Sequence, residues 1–452
     1  IIIQVSILSL ICIYKIMSKE IKGFSKLSKK EKIDWLVKTC FKNDTKALNI
    51  LKKYWNSDES LQKLHDEFSE NSISNYYLPF AIAPNFLINK KIYVVPMTIE
   101  ESSVVAAASN AAKFWMNHGG FKAEVLEDEK IGQVHFFFHG KKKLIQEYFD
   151  FIKPTFFKNT ESITKKMNSR GGGIIDIKLI DKSSDLAGYY QIFATFKTAD
   201  AMGANFINSC LEEFAKIFTN SIKLFNKEEL KFDDIEIVMS ILSNYVPNCI
   251  VKTQVKCHVN ELNSLEPNTP NFAQKIIQAI KIANIDIYRA VTHNKGIMNG
   301  IDAVALATGN DFRAIEAGAH AYASRNNKYK SLSNAYIKND IFYFELKLPL
   351  AIGTVGGVTN LHPLVKLALG ILGNPNSKEL MQVIASVGLA QNFGALRSLV
   401  TYGIQKGHMK MHLINLLNKY GADENEKKLA QIHFKENTVS SASVENFIKK
   451  IR

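Results

Sequence analysis

The sequence predicts an α+β protein: a large domain of mixed helices and strands, interrupted by a smaller α/β unit and closed by a helical C-terminal part. Strand-like and helix-like stretches alternate over residues 128–243, whereas long helical patterns dominate on either side. At 452 residues the chain has room for two or three domains, and its 46% hydrophobic share is that of an ordinary globular protein. No internal repeat or low-complexity linker separates the parts.

Residues 1–16, IIIQVSILSLICIYKI, are apolar for about 14 residues, short of the roughly 20 that span a bilayer. They lack the basic start and small-residue cleavage site of a signal peptide, and the first methionine is Met17. Residues 1–18 are therefore expected to be an upstream or disordered extension. The first part of the large domain covers 19–127. In it SKKEKIDWLVKTCF is helical, KIYVVPM is a strand, and EESSVVAAASNAAKFW (100–115) is a helix dense in small residues. The insertion, 128–243, has strands in IGQVHFFFHG, IIDIKLI and GYYQIFATFKT and helices in KKKLIQEYFDFIK and ANFINSCLEEFAKIF. The large domain resumes over 244–395, with helices in FAQKIIQAIKIANI and DFRAIEAGAHAYASR, the strand DIFYFELKLPL and the glycine-rich AIGTVGGVTNLHP. Residues 396–452 are helical and rich in Lys and Glu.

The net charge of +14 suggests an anionic partner: nucleic acid, a membrane surface or a phosphorylated small molecule. Only six basic residues are arginine, and four of them (Arg289, Arg313, Arg325 and Arg397) fall between 289 and 397. A chain that otherwise uses lysine keeps arginine where planar, forked hydrogen bonding matters. The five cysteines (Cys12, Cys40, Cys210, Cys249 and Cys257) form no CxxC pair, which reads as reduced thiols in a cytosolic protein.

Several segments have two readings. TADAMGANFIN (198–208) joins a strand to a helix; it is an ordinary turn, or a phosphate cradle in which Gly203 allows close approach. SRGGGIIDI (169–177) is a flexible turn, or backbone held close to a cofactor beside Lys165, Lys166 and Arg170. Glu100 and Glu101 open a helix, where the dipole favours carboxylates regardless of chemistry. Asp311 could simply cap the helix that starts at Phe312. His408 and His412 have metal-ligand spacing, but GHMKMH lacks the glutamate of HExxH, and no metal is expected. THNKGIMNGIDAVALATGND (292–311) reads locally as a turn and an apolar strand. Lys295 gains nothing structural there, and a role in chemistry is the other reading.

Together VPMTIEESSVVAAASNAAK, DAMGAN, YRAVTHNKGIMNGIDAVALATGNDFRAIEAGAHAYASR, GTVGGVTNLHPL, GLAQNFGALR and GIQKGHM resemble hydroxymethylglutaryl-coenzyme A (HMG-CoA) reductases of the soluble bacterial and archaeal class. The resemblance runs from about Phe24 to the C-terminus. It implies a ferredoxin-like nucleotide-binding insertion, a large substrate-binding domain, and a C-terminal flap carrying a catalytic histidine. The family reduces HMG-CoA to mevalonate and coenzyme A with two nicotinamide hydrides, or runs the reverse oxidation. By resemblance Glu101 gives a proton to the developing alcohol, Lys295 stabilises the oxyanion, and Asp311 couples the two. His408 protonates the departing thiolate, and Ser103, Arg289 and Asn299 hold the hydroxymethylglutaryl group. Asp200, Met202, Gly203, Asn205 and Asn244 are implied nucleotide contacts.

NADH-using members carry an aspartate about seven residues before the triple glycine. Here Thr164 stands there, followed by Lys165 and Lys166, which favours a 2′-phosphate and hence NADPH, with NADH possible. Two positions depart from the family: ENxIG is ENSIS, with Ser74 for the glycine, and an early arginine is matched by Ser25. The resemblance also implies a homodimer or an assembly of dimers in the cytoplasm, with no nucleic acid or membrane partner. Two other readings compete with this one. A catalytically inactive homologue is disfavoured by retention of Glu101, Lys295, Asp311 and His408. A basic protein binding an anionic surface rests on net charge alone.

Overall fold

A computed structural model of the chain describes residues 19–225, 230–403, 413–435 and 437–452. The expected extension (1–18) and His408 lie outside the described residues. The chain divides into two compact units, one ending at Pro79 and one running from Phe80.

In the first unit three helices follow one another: α1 (Lys29–Phe41), α2 (Thr45–Lys53) and α3 (Glu59–Asp66). Ser28 and Glu31 form a capping box on α1, and Lys29 pairs with Asp66 at 2.7 Å. Ser74, which replaces the family glycine, donates its hydroxyl to the Leu51 carbonyl at 2.7 Å.

The second unit opens with the hairpin β1 (Phe80–Ile88) and β2 (Lys91–Thr98), turned by Asn89 and Lys90, both at positive φ. Helix α4 (Val104–Met116) and strand β3 (Lys122–Val125) follow. Next come β4 (Lys130–Phe138), α5 (Lys142–Asn159), α6 (Glu161–Asn168), β5 (Gly173–Asp181), β6 (Tyr189–Lys197), α7 (Ala204–Asn220) and β7 (Ile235–Leu242). These four strands make one antiparallel sheet in the order β5-β6-β4-β7. Numbered within the segment, that order is 2-3-1-4, the ferredoxin-like arrangement. One sheet face alternates buried residues such as Val134, Phe136, Ile192 and Ala194, against which α5 and α7 set Tyr148, Phe149, Phe156, Leu211 and Phe214.

The remaining elements are β8 (Ile250–His258), α8 (Val259–Ser264), α9 (Phe272–Ile285), α10 (Ile287–Ala307), α11 (Phe312–Ala323), β9 (Ser333–Lys338), β10 (Ile341–Pro349), α12 (Pro363–Ile371), α13 (Ser377–Val400), α14 (Glu424–His433) and α15 (Ser441–Ile451). The second sheet runs β3-β8-β10-β9. A core separate from that of the ferredoxin-like segment joins it to α4, α9, α10 and α13. By length and composition α13 could cross a membrane, yet 67% of its apolar window is buried inside the protein. It serves as the central core helix.

Residues 292–307 are not turn and strand, as their local composition suggests, but the body of α10. Gly300 explains the difference. A Cβ there would lie 2.9 Å from Gln391 Cβ and 3.0 Å from the Val387 carbonyl, so α10 and α13 approach too closely for a side chain. Tertiary packing outweighs the roughly 1 kcal/mol that a mid-helix glycine costs. Gly309, at φ +68°, lies just past the helix end.

Candidate active site

Three elements bring their polar residues to one cleft of about 570 Å³: the turn before α4, one face of α10 and the C-terminal half of α13. Glu101 does not sit on a helix. Helix α4 begins at Val104, and its N-cap, Ser103, holds φ +74° with no side-chain cap bond. A non-glycine residue in that conformation stores strain, a frequent sign of a site. The turn leaves Glu101 free of the helix end, and Lys295 Nζ donates to Glu101 Oε2 at 2.6 Å. Asn299, one turn further along α10, donates to the same oxygen at 3.3 Å. The Lys295 side chain is 58% exposed, so the pair faces the cleft and its net worth to stability is small.

Arg289 lines the same cleft with no ion-pair partner among the described residues, and burial lowers its proton affinity. Ser103, Gln391 and Asn392 also line it. GLAQNFGALR was legible as a motif, but no role attached to Gln391 or Asn392; a polar pair in an otherwise apolar helix was the available signal. Asn392 accepts from Ser333 Oγ at 2.7 Å, and Ser333 accepts in turn from His293 Nε2 at 2.8 Å. That leaves His293 Nδ1 as a buried acceptor without a partner. Burial first, and then the Arg289 charge, depress His293 to about 3, so the ring is neutral.

The sign of that shift fixes a pH effect. Below pH 6.5 the unfolded chain binds a proton at His293 that the folded chain refuses, so stability falls as pH drops from 6.5 toward 3. His293→Gln is expected to flatten the slope of folding stability across this window by up to about 1.4 kcal/mol per pH unit. Urea melts at a series of pH values read it, and parallel slopes would refute it.

Asp311 is not brought to the pair. It caps α11 through the Arg313 and Ala314 amides and holds the Arg313 side chain at 3.1 and 3.2 Å. The Arg313 hydrogen bond, the largest influence, keeps its carboxyl below the usual range. Among the described residues of one chain, its carboxylate bonds neither Lys295 nor Glu101 and serves as the cap of α11. His408, expected from the resemblance to act as an acid, lies outside the described residues, as does His412.

A second cavity, of about 590 Å³, is lined by Arg170, Thr198, Ala199, Asp200, Ala201, Val355 and Gly356. Its loop is pinned from three sides. The Ser377 amide donates to Asp200 Oδ1 at 2.9 Å, and the Thr354 amide donates to the Asp200 carbonyl at 2.8 Å. From below, the buried ammonium of Lys130 donates to Thr198 Oγ1 and, at 3.3 Å, to the Ala201 carbonyl. Gly203 caps α7 at φ +97° without a side-chain bond, so the first-turn amides remain available to an anion. Met202 packs its backbone against Gly353, and the Gly353 amide donates to Asn310 Oδ1 at 2.8 Å.

Asn205 is exposed on the first turn of α7. Asn244 follows β7, with its carbonyl against Gly318 of α11. Lys165 and Lys166 are exposed in the last turn of α6, whereas Thr164 is buried at 5% exposure and bonds within its own helix. What this face presents is therefore the two cations and not Thr164. A cationic rim, bare helix-start amides and glycines at the loop fit an anionic dinucleotide. Among the described residues no cluster of His, Cys, Asp and Glu could hold a metal ion.

The family model for hydroxymethylglutaryl-coenzyme A reductase matches residues 29–413. The 3-hydroxy-3-methylglutaryl-coenzyme A reductase of Archaeoglobus fulgidus is 35% identical over 422 residues, covering 92% of this chain and 90% of the relative. A solved class II 3-hydroxy-3-methylglutaryl-CoA reductase from Streptococcus pneumoniae, bound to NADPH in open conformations, is 35% identical with a TM-score of 0.68. The match covers 90% of this chain and 99% of that one. A further Streptococcus pneumoniae structure of the enzyme matches at 34% identity and TM-score 0.69, covering 95% and 99%.

Proposed function

Because this chain belongs to the hydroxymethylglutaryl-coenzyme A reductase family, we propose that the cleft around Lys295 and Glu101 is where it reduces HMG-CoA. The protein is an oxidoreductase of the mevalonate pathway that forms mevalonate and coenzyme A at the expense of two NAD(P)H. The observation that carries the site assignment is the 2.6 Å bond between Lys295 and Glu101 in an open cleft. A carbonyl oxygen beside one of these groups lies within reach of the other.

The chemistry then divides among the residues. Arg289, without an ion-pair partner among the described residues, offers its fork to the carboxylate of the hydroxymethylglutaryl group, and Ser103 and Asn299 orient that group. Lys295 donates to the thioester oxygen as negative charge develops on it, and the benefit grows toward the transition state. Glu101 delivers a proton to the alkoxide oxygen. His408 protonates the departing coenzyme A sulfur. NADPH, when bound, supplies the hydride. Asp200, Met202, Gly203, Asn205 and Asn244 would hold it, with Arg170, Lys165 and Lys166 answering its phosphates.

The working unit is a homodimer, or an assembly of dimers, in the cytoplasm. An apolar run next to the cleft supports this: Ile282, Ile285, Ile287, Tyr288 and Val291 are all exposed, Tyr288 at 85%. The test follows HMG-CoA-dependent loss of nicotinamide absorbance together with free thiol. The expected result is about two NADPH oxidised per thiol released, with NADPH preferred over NADH at subsaturating concentration. No HMG-CoA-dependent turnover would overturn the function, and a tenfold preference for NADH would overturn the cofactor choice.

A further inference from the structure

The nucleotide loop rests on a buried charge. Lys130 opens β4 opposite Phe196 of β6, and the loop that starts at Thr198 follows directly after β6. Among the described residues Lys130 is the only lysine, arginine, aspartate or glutamate that is buried, at 6% exposure. Its ammonium donates to Thr198 Oγ1 and, at 3.3 Å, to the Ala201 carbonyl, and the Thr198 hydroxyl donates to the same carbonyl at 2.6 Å. Both acceptors are neutral. Asp128 and Asp200 act on Lys130 through space but are committed elsewhere. Asp128 pairs with Lys378 at 2.9 Å and Lys197 at 3.7 Å, and Asp200 Oδ1 accepts from the Ser377 amide at 2.9 Å. Among the described residues no carboxylate pairs with Lys130. Burying an ammonium without a counterion costs more than burying an apolar chain of the same length, so packing alone gives no reason for a lysine here. The cavity above it does. Thr198 and Ala201 line that cavity, so one layer of protein separates the charge from whatever the cavity holds. A dinucleotide phosphate there meets a positive charge that water screens poorly.

We infer that Lys130 is a positioning residue for the cofactor: its buried ammonium holds the Thr198–Ala201 loop in shape and presents through it the positive charge that the dinucleotide phosphates neutralise on binding. The inference rests on the nucleotide site proposed above. Lys165, Lys166 and Arg170 answer the same phosphates from exposed positions, where salt screens them. Lys130 acts from beneath, out of reach of dissolved ions. The two kinds of cation therefore differ in how their contribution responds to salt.

The test is a direct titration of NADPH, followed by its fluorescence on binding, in wild type, Lys130→Met and Lys130→Gln. Methionine keeps an unbranched side chain and removes the charge; glutamine also keeps a donor for Thr198. Both variants are expected to bind NADPH at least about tenfold more weakly. The loss should persist at about 0.5 M salt, because the ammonium is shielded from ions. KM for NADPH should rise in step, while KM for HMG-CoA stays within about twofold. Without NADPH, Lys130→Met should melt at or above the wild-type temperature, since a buried charge has been removed. NADPH affinity in Lys130→Met within about twofold of wild type would overturn the inference. So would wild-type affinity in Lys130→Gln, which would show that the donor matters and the charge does not. If Lys130→Met does not fold, Lys130→Gln decides alone. A wild type that binds NADPH but does not oxidise it with HMG-CoA sinks the proposed activity and leaves the titration to judge Lys130. A wild type that does not bind NADPH sinks the nucleotide site and this inference together.

Discussion

Lys295→Ala is expected to lower kcat for HMG-CoA-dependent NADPH oxidation by about 10³-fold, with little change in KM. Single neutral donors to an oxyanion are worth about 10²–10³-fold, and a full positive charge belongs at the upper end. The loss should not come through the fold. The Lys295 side chain is more than half exposed, and alanine at an exposed helical position is at least as favourable as lysine. Melting temperature should therefore hold within about 2 °C of wild type. Lys295→Arg would keep the charge but spread it over a plane, and intermediate activity is expected. Steady-state rates decide the matter, and a Lys295→Ala enzyme within tenfold of wild type would remove Lys295 from the chemistry.

The second large effect is expected at Gly353, far from the reacting carbonyl. A Cβ there would press on the Met202 amide nitrogen, lie 2.9 Å from the Ala201 carbonyl carbon and 3.0 Å from the Asp200 carbonyl oxygen. All three are backbone atoms, so no rotamer change relieves the overlap. The loop itself must shift, and it is already tied to Ser377, Thr354 and Lys130. Gly353→Ala should destabilise the protein by about 1–3 kcal/mol and raise KM for NADPH at least about tenfold, while KM for HMG-CoA moves much less. Gly370, with nothing within 4 Å of an added Cβ, is the control; Gly370→Ala should be neutral or mildly stabilising. Equal nucleotide KM values in wild type and Gly353→Ala would show that this contact does not shape the loop.

The two halves of the site were legible to different degrees, for physical reasons. Alternating strand and helix patterns marked the ferredoxin-like segment because each strand has one buried face, and period-two alternation survives in the sequence. Lys295 stands out in the sequence as a candidate while its secondary structure does not. Glycine and asparagine lower helix propensity, and only α13 packed against Gly300 reveals why the helix is kept. The bond from Lys295 to Glu101 spans 194 positions, and no spacing rule reaches that far. Asp311 carries two readings in the sequence, and in this structure its carboxylate caps α11 and holds Arg313.

Helix α13 acts as a ruler. Its first residue, Ser377, grips Asp200 of the nucleotide loop, and Ala395 near its far end lies beside Gly296, next to Lys295. Eighteen residues at the α-helical rise separate those points by about 27 Å, and the helix runs unbroken between them. Hydride passes only between atoms in contact. Within one copy of the chain, the nucleotide loop and the carbonyl cleft therefore sit near opposite ends of one helix, and a dinucleotide held at the loop must span that distance to deliver its hydride. The separation is written into that rod, so bending of the helix does not change it.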